Sequence, residues 1–327
     1  MKTLILSKNE VGMLLSHELA AAAVRDAYVA FCSGRAELLP IQSLNIPENK
    51  CEIDFKSGYD LDEQIVCTKI AGGFRDNPVS YGLPTGLALI CLINAQSGVP
   101  VCVMDGTLIT AYRTAAAGAL SASLLARPES SCVTVFGTGT QSKMQVLALS
   151  RLFNLSEVHV CGIEAVDDYI KTMQNNLPDT NFSAAKSAQE AVLMADIIIT
   201  ATVSTGALLD AAWVKPGTHI TAVGCDAPGK QELDPALFKN AIIVNDSIEE
   251  CVKRGETQHA IRQGVITKEG IRGEIGELIT GVKDGRTDKK QITIFDTVGL
   301  SILDVKTAMA IYRAACDKGI GINADIV

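Results

Sequence analysis

A doubly wound parallel α/β sheet, joined to a second α+β layer, is the fold class this 327-residue sequence predicts. Three observations predict it. From residue 132 to residue 295, short apolar runs alternate with helical segments, as in parallel strands joined by crossovers. A glycine turn, Gly137-Thr138-Gly139-Thr140-Gln141-Ser142, follows the first of those runs and opens a helix. From residue 43 to residue 105 the texture differs: apolar runs bounded by Gly, Pro, Asn and Asp predict a mixed or antiparallel sheet.

The elements follow in order. Ser7-Lys8-Asn9-Glu10 has the capping-box pattern, in which the serine oxygen and the glutamate side chain satisfy orphan amides, so a helix starts there. A second, alanine-rich helix runs over about 17–33 and stops at Gly34. Strands are expected at 65–67, 87–93 and 101–104, with Asn94-Ala95-Gln96-Ser97-Gly98 as the hairpin turn between the last two. A long alanine-rich helix spans about 107–126 and ends before Pro128. The strands of the parallel sheet are expected at 132–136, 157–161, 196–200, 219–223, 241–244 and 292–295. The last helix, about 300–318, has nothing after it to return to that sheet and is expected to pack on the first layer.

Composition narrows the function. The length suggests about two domains. With 29 basic and 37 acidic residues the net charge is −8, which argues against a nucleic-acid binder. No apolar run reaches the roughly 18 residues of a membrane-spanning helix, and the apolar stretch near the start is too short for a secretory signal. The ten cysteines have no C-x-x-C pair and fall mostly in apolar runs, so reduced, buried thiols and a cytoplasmic location are expected. The four histidines, at 17, 159, 219 and 259, show no metal-ligand spacing, so no metal is expected.

In the glycine turn, Gly137 permits the tight bend, Gly139 lets a pyrophosphate approach the helix N-terminus, and Ser142 keeps the third position small. The acid that binds ribose hydroxyls belongs at the end of the second strand. There Cys161-Gly162-Ile163-Glu164 displaces it to Glu164, and no Arg or Lys stands in 161–168 to grip a 2′-phosphate. NAD is therefore expected over NADP.

Seven segments then occur in one order: Lys69; Tyr81-Gly82-Leu83-Pro84-Thr85; Met104-Asp105-Gly106; Ile109-Thr110-Ala111-Tyr112-Arg113-Thr114-Ala115-Ala116; the glycine turn; Gly224-Cys225-Asp226-Ala227-Pro228-Gly229-Lys230-Gln231-Glu232-Leu233; and Phe295-Asp296-Thr297-Val298-Gly299-Leu300. On these the chain resembles the ornithine cyclodeaminase/mu-crystallin family along nearly its whole length. The resemblance implies a homodimer. It also implies a discontinuous substrate and dimerisation domain, residues 1–115 and 300–327, around a Rossmann domain at 116–299. Its shared chemistry is hydride transfer between nicotinamide and the α-carbon of an amino acid or its imine.

Residue by residue, Lys69 resembles the lysine that holds the substrate carboxylate, and its strand-like surroundings place it on one face with Ile65 and Cys67. Asp226 resembles the acid/base aspartate, after the strand 219–223 where ligands gather in such sheets. Arg113 resembles an arginine near cofactor and substrate anion. Thr85, Gly137, Gly139, Thr140, Gln141, Glu164, Thr202, Val223, Lys230 and Thr297 fall at cofactor positions, and Val298 at a substrate position.

Two departures matter. Gln42 stands where many members carry a substrate-binding cation, with Lys56 and Arg75 as nearby cations able to compensate. Glu52, which together with Asp54 faces one side of a strand, matches the cyclodeaminase glutamate, but the usual Met-Pro after it is absent. The segments around Phe55 and Lys69 look closer to reductase-type members. The expected activity is an NAD-dependent oxidoreductase interconverting a small L-amino acid and its imino or keto acid. The alternatives are an ornithine cyclodeaminase with catalytic NAD and a mu-crystallin-like binding protein without turnover.

Overall fold

The computed structural model describes residues 2–326; Met1 and Val327, the outer ends of the expected first domain, lie outside the described residues. The chain divides into two compact units, Met1–Arg113 with Leu300–Val327, and Thr114–Gly299.

The first unit is a mixed sheet with helices on one face. Its elements are β1 (Thr3–Leu6), α1 (Lys8–Leu14), α2 (His17–Cys32), β2 (Ala36–Leu38), β3 (Gln42–Ile46), β4 (Cys51–Asp60), β5 (Ile65–Phe74), α3 (Asn77–Ser80), β6 (Gly86–Asn94) and β7 (Pro100–Asp105). The long helix α4 (Thr107–Leu125) starts in this unit. The strand order is β18-β1-β7-β6-β5-β4-β2, with β3 paired to β4, where β18 is Ile322–Ala324. β1 runs parallel to β7 and the other pairs are antiparallel.

Local chemistry places these elements. At α1, Ser7 accepts from Glu10 N while Glu10 accepts from Ser7 N at 2.7 Å, the expected capping box. The hairpin turn between β6 and β7 forms because Asn94 Oδ1 accepts from the amides of Gln96 and Ser97, and Gly98 takes φ +73°. The last helix, α11 (Ser301–Lys318), packs on α2 and on β4 and β5, the expected first layer. One strand was not expected after it: β18 returns to the same sheet beside β1. The apolar start, Thr3–Leu6, is a strand of this sheet.

The second unit is a parallel sheet of order β10-β9-β8-β11-β13-β17-β15-β16. Its strands are β8 (Cys132–Phe136), β9 (Glu157–Cys161), β10 (Asn181–Ala184), β11 (Ile197–Thr200), β13 (His219–Ala222), β15 (Ala241–Asn245), β16 (Gly273–Glu274) and β17 (Ile292–Asp296). Two short strands, β12 (Thr205–Leu209) and β14 (Gln231–Leu233), pair with each other outside it. Helices α5 (Thr140–Leu149), α6 (Val166–Asn176), α7 (Ala188–Met194), α8 (Ile248–Arg254), α9 (Thr257–Arg262) and α10 (Ile275–Ile279) connect them. The interior strands are buried on both faces, as in a sheet covered on both sides. One core gathers Val133, Val135, Val158, Val160 and Ile199, and the other Phe136, Ile198, Ile220, Ile243 and Ile294. This is the Rossmann-type doubly wound sheet with a mixed α+β companion. No helix of the described residues is long and apolar enough to cross a membrane. The ten cysteines are free thiols; five are buried and Cys316 is exposed.

Candidate active site

In the first unit, sheet register decides which charges meet. Lys56 on β4 pairs with Lys69 on β5, so both side chains lie on one face, and α11 covers that face. Both lysines are buried, Lys69 to 1% exposure. Asp304, buried on α11, receives Lys69 Nζ at 2.7 Å and Arg113 Nε at 3.1 Å. Three cations thus surround one carboxylate. Burial, then Arg113, depresses Lys69 to about 7, with Lys56 adding to it against the lift from Asp304. Burial raises Asp304, but Lys69, Arg113 and Lys56 together outweigh it and hold the carboxyl below its ordinary value. The cluster carries a surplus of positive charge removed from water, a setting that favours a carboxylate ligand.

The other residues singled out in this unit's strands and loops stand as follows. Gln42 pairs with Phe55, one position off Lys56, so it lies on the opposite face and is exposed. Glu52 shares the face of Lys56 but sits at the far end of β4 and is exposed. Asp54 accepts from Ser43 Oγ. Arg75 and Thr85 are exposed, the latter accepting Phe74 N through its carbonyl at 2.7 Å. Lys56 is the cation that joins Lys69.

In the second unit, Gly137 leaves β8 at φ +103°, and a Cβ there would lie 2.6 Å from the Ala201 carbonyl oxygen. Gly139 caps α5 with nothing within 4 Å of an added Cβ, and no side chain caps the helix. The amides of Thr140 and Gln141 therefore open an uncapped helix N-terminus, which suits a pyrophosphate. Beside this turn β9 ends at Cys161, and a Cβ at Gly162 would meet Thr138 Cγ2 at 2.6 Å. Glu164 lies exposed two residues on.

Further along the same sheet edge, Asp226 is part-exposed and receives Lys230 Nζ at 2.7 Å. Arg254 Nε donates to the Asp226 carbonyl at 2.9 Å, fixing the backbone of that loop. Val223 is half-buried and donates its amide to Thr200 O.

Four buried acids hold these loops, and sequence reasoning assigned none of them. Glu232 accepts from Thr202 N, Thr202 Oγ1 and Gly224 N at 2.6, 2.7 and 2.9 Å, tying the loops after β11 and β13 together. Glu256 accepts from Glu232 N and Leu233 N, and Asp296 from Glu256 N and Thr257 N. Asp246 accepts from Thr297 Oγ1, Val298 N and Gly299 N. Thr202 and Thr297, expected at the cofactor, thus give their hydroxyls to buried acids, and Val298 is buried. For Glu256 and Asp296 the available signal was an acid directly beside Gly or Thr. For Asp304 it was a lone acid within Ile302-Leu303-Asp304-Val305.

Burial, then Asp296 and Glu232, pushes Glu256 up to about 9. A carboxyl raised in the folded state takes up protons on folding, so its stabilising contribution is lost as pH rises from its ordinary value through about 9. In Glu256→Gln the fall in melting temperature between pH 5 and 9 should be shallower than in the parent chain; equal slopes would remove Glu256 as the source.

Comparison with known proteins follows the same architecture. The family model described as ornithine cyclodeaminase/mu-crystallin family matches residues 1–319. Alanine dehydrogenase of Archaeoglobus fulgidus is 38% identical, over 98% of this chain and 98% of its own. An archaeal alanine dehydrogenase dimer with bound NAD superposes at TM-score 0.91 with 37% identity, covering 100% of both chains. The Δ1-pyrroline-2-carboxylate reductase of Thermococcus litoralis, in complex with NADH and L-proline, superposes at TM-score 0.93 with 30% identity, covering 98% of this chain and 100% of its own.

Proposed function

Because the chain belongs to the ornithine cyclodeaminase/mu-crystallin family, we propose that it is an NAD-dependent oxidoreductase interconverting a small L-amino acid and its imino or keto acid. The buried cation surplus at Lys56, Lys69 and Arg113 carries this reading. A substrate carboxylate supplies the second negative charge the cluster lacks, with Lys69 and Arg113 as its donors.

NAD fits the turn at Gly137 and the uncapped start of α5, with Gly139, Thr140 and Gln141 along the pyrophosphate and Glu164 toward the ribose. Thr85, Thr202, Val223, Lys230 and Thr297 complete the proposed cofactor set, Thr202 and Thr297 through a backbone that Glu232 and Asp246 hold. The chemistry such a cofactor would supply when bound is hydride exchange with the substrate α-carbon. Asp226 holds or takes the proton of the substrate nitrogen, and Lys230 orients its Oδ1. Gln42 brings no cation to the substrate carboxylate, and Glu52, matched to the cyclodeaminase glutamate, is exposed at the strand end. This favours the oxidoreductase over the cyclodeaminase. Val298 acts through its burial, as wall rather than donor.

The first unit also supports a dimer. The sheet face opposite α11 exposes Leu44, Ile70, Leu87 and Leu89, an apolar row that a second copy would cover.

The test is a parallel assay with NAD and alanine, aspartate, ornithine and lysine, following nicotinamide absorbance and ammonia together, then the corresponding keto and cyclic imino acids with NADH. Net NADH formation or consumption supports the proposal. Ammonia from ornithine without net NADH would replace it with the cyclodeaminase. Cofactor binding with silence on every substrate would replace it with the binding protein.

A cofactor prediction follows from the turn. Gly137→Ala should weaken NADH binding about 10–100-fold, from roughly 1–3 kcal/mol of backbone strain at positive φ and the clash with Ala201. Fluorescence titration of NADH reads this directly, and unchanged affinity would detach the turn from the cofactor.

A further inference from the structure

The edge of the parallel sheet opposite the glycine turn carries a second group of chemically capable side chains. Cys132 opens β8 and Glu157 opens β9, and the two are register partners, so their side chains share a face. His159 lies two residues along β9, on that same face. Cys132 Sγ, a Glu157 carboxylate oxygen and a His159 ring nitrogen lie within 4.8 Å of one another. We propose that these three side chains form a site for a divalent transition-metal ion of the zinc class, with water completing the tetrahedron.

Three features support it. His159 is 9% exposed, and its buried Nε2 makes no hydrogen bond among the described residues. Its neighbour there is Glu157 Oε2 at 3.3 Å. Two ligands each about 2.0 Å from a tetrahedral zinc are about 3.3 Å apart, so the pair already stands at ligand spacing. Second, Nδ1 of the same ring is held by Ser183 Oγ of β10 at 3.0 Å. That outer contact orients the imidazole as those of metal ligands are oriented. Third, the cations nearby are committed elsewhere: Arg127 and Lys215 pair with Asp196 at 2.6 and 3.2 Å. Asp196 in turn accepts the amides of Ser131 and Cys132.

The donor set of one thiolate, one imidazole and one carboxylate suits zinc and cobalt over magnesium or calcium. On binding, the thiol proton leaves to solvent and the thiolate sulfur takes the metal. Glu157 is about half-exposed, with 49% of its side chain accessible, which leaves an entry path for the ion and room for the water. The site bridges β8 and β9 at the end of the sheet away from the glycine turn, so its expected role is to fasten those strands rather than to join the reaction.

The experiment uses the tag-free full-length chain, stripped with a chelator and titrated with Co²⁺. Expected is about one equivalent bound with a near-ultraviolet thiolate-to-cobalt band and the intense visible absorption of tetrahedral cobalt, both displaced by Zn²⁺. Cys132→Ser should abolish the thiolate band. His159→Gln and Glu157→Gln should weaken cobalt binding by about 10-fold or more. Glu157→Gln alters a half-exposed side chain, so it keeps the test valid if a buried variant misfolds. Cys316→Ser, at the exposed thiol, should leave the band unchanged. No saturable binding in the parent chain, a band that survives Cys132→Ser, or equal affinity in Glu157→Gln would each overturn the site.

Discussion

Lys69→Met should lower kcat/KM for the amino or imino acid by about 10²–10³-fold while NADH affinity stays within about two-fold. The estimate is the loss of charge-assisted contacts worth roughly 3–4 kcal/mol to a substrate carboxylate. Stability should change little. Lys69 is one of three buried cations around Asp304, and Arg113 remains 3.1 Å from that carboxylate. Removing a desolvated charge from a site that holds a surplus of its sign does not leave the acid unpaired. A variant with intact turnover would detach Lys69 from the substrate, and one that unfolds would make it a structural cation.

The same lysine sets a pH dependence. Burial and the neighbouring Arg113 hold Lys69 at about 7, so in the free protein it loses its proton as pH rises through neutrality. Binding of an amine-free carboxylate such as propionate should therefore weaken above about pH 7. Folding carries the opposite sign. The unfolded chain binds the lysine proton up to its ordinary value of 10.5, so between about 7 and 10.5 this residue adds stability as pH rises. Competitive inhibition by propionate across pH 6–9 reads the first effect, and a flat profile would place the carboxylate elsewhere.

Asp304→Asn should be the most destabilising single substitution in the first unit, at about 3–5 kcal/mol. Its effect differs in kind from that of Lys69→Met because it removes the one anion and leaves Lys69, Arg113 and Lys56 facing one another without water. The cations hold the Asp304 carboxyl below its ordinary value, so its contribution is present above that value and is lost as pH falls through the folded one. Denaturant titration with circular dichroism should show the loss in the variant. Added carboxylate substrate or chloride should recover part of it, because an anion replaces the missing charge. A variant as stable as the parent would mean that the cations are satisfied in another way.

Much of the fold was legible because burial repeats along a chain. Runs dominated by β-branched residues, such as Val133-Thr134-Val135 and Ile197-Ile198-Ile199, mark strands covered on both faces, and the helices between them follow. Ser7 and Glu10 announced their own helix start, and Gly137 its own bend, since each interaction lies within a few residues. The short strands escaped for the converse reason. Asn181–Ala184, Gln231–Leu233 and Ile322–Ala324 are three or four residues long and become strands only because a neighbouring edge receives them.

The candidate site divides along the same line. The amino-acid order alone determined that Lys69 lies on an apolar strand face, that a G-x-G-x-x-S turn follows β8, and that Asp226 stands beyond a strand's carboxyl end. Period-two alternation also puts Phe55 and Lys56 on opposite faces of one strand, but it does not tell which face is covered. Only the packing of α11, some 230 residues later in the chain, decided that. It brought Asp304 to Lys69 and Arg113, buried Lys56 with them and left Gln42 and Glu52 in solvent. Local periodicity orders side chains along one element, whereas desolvation and charge pairing are set by whichever distant element closes over them.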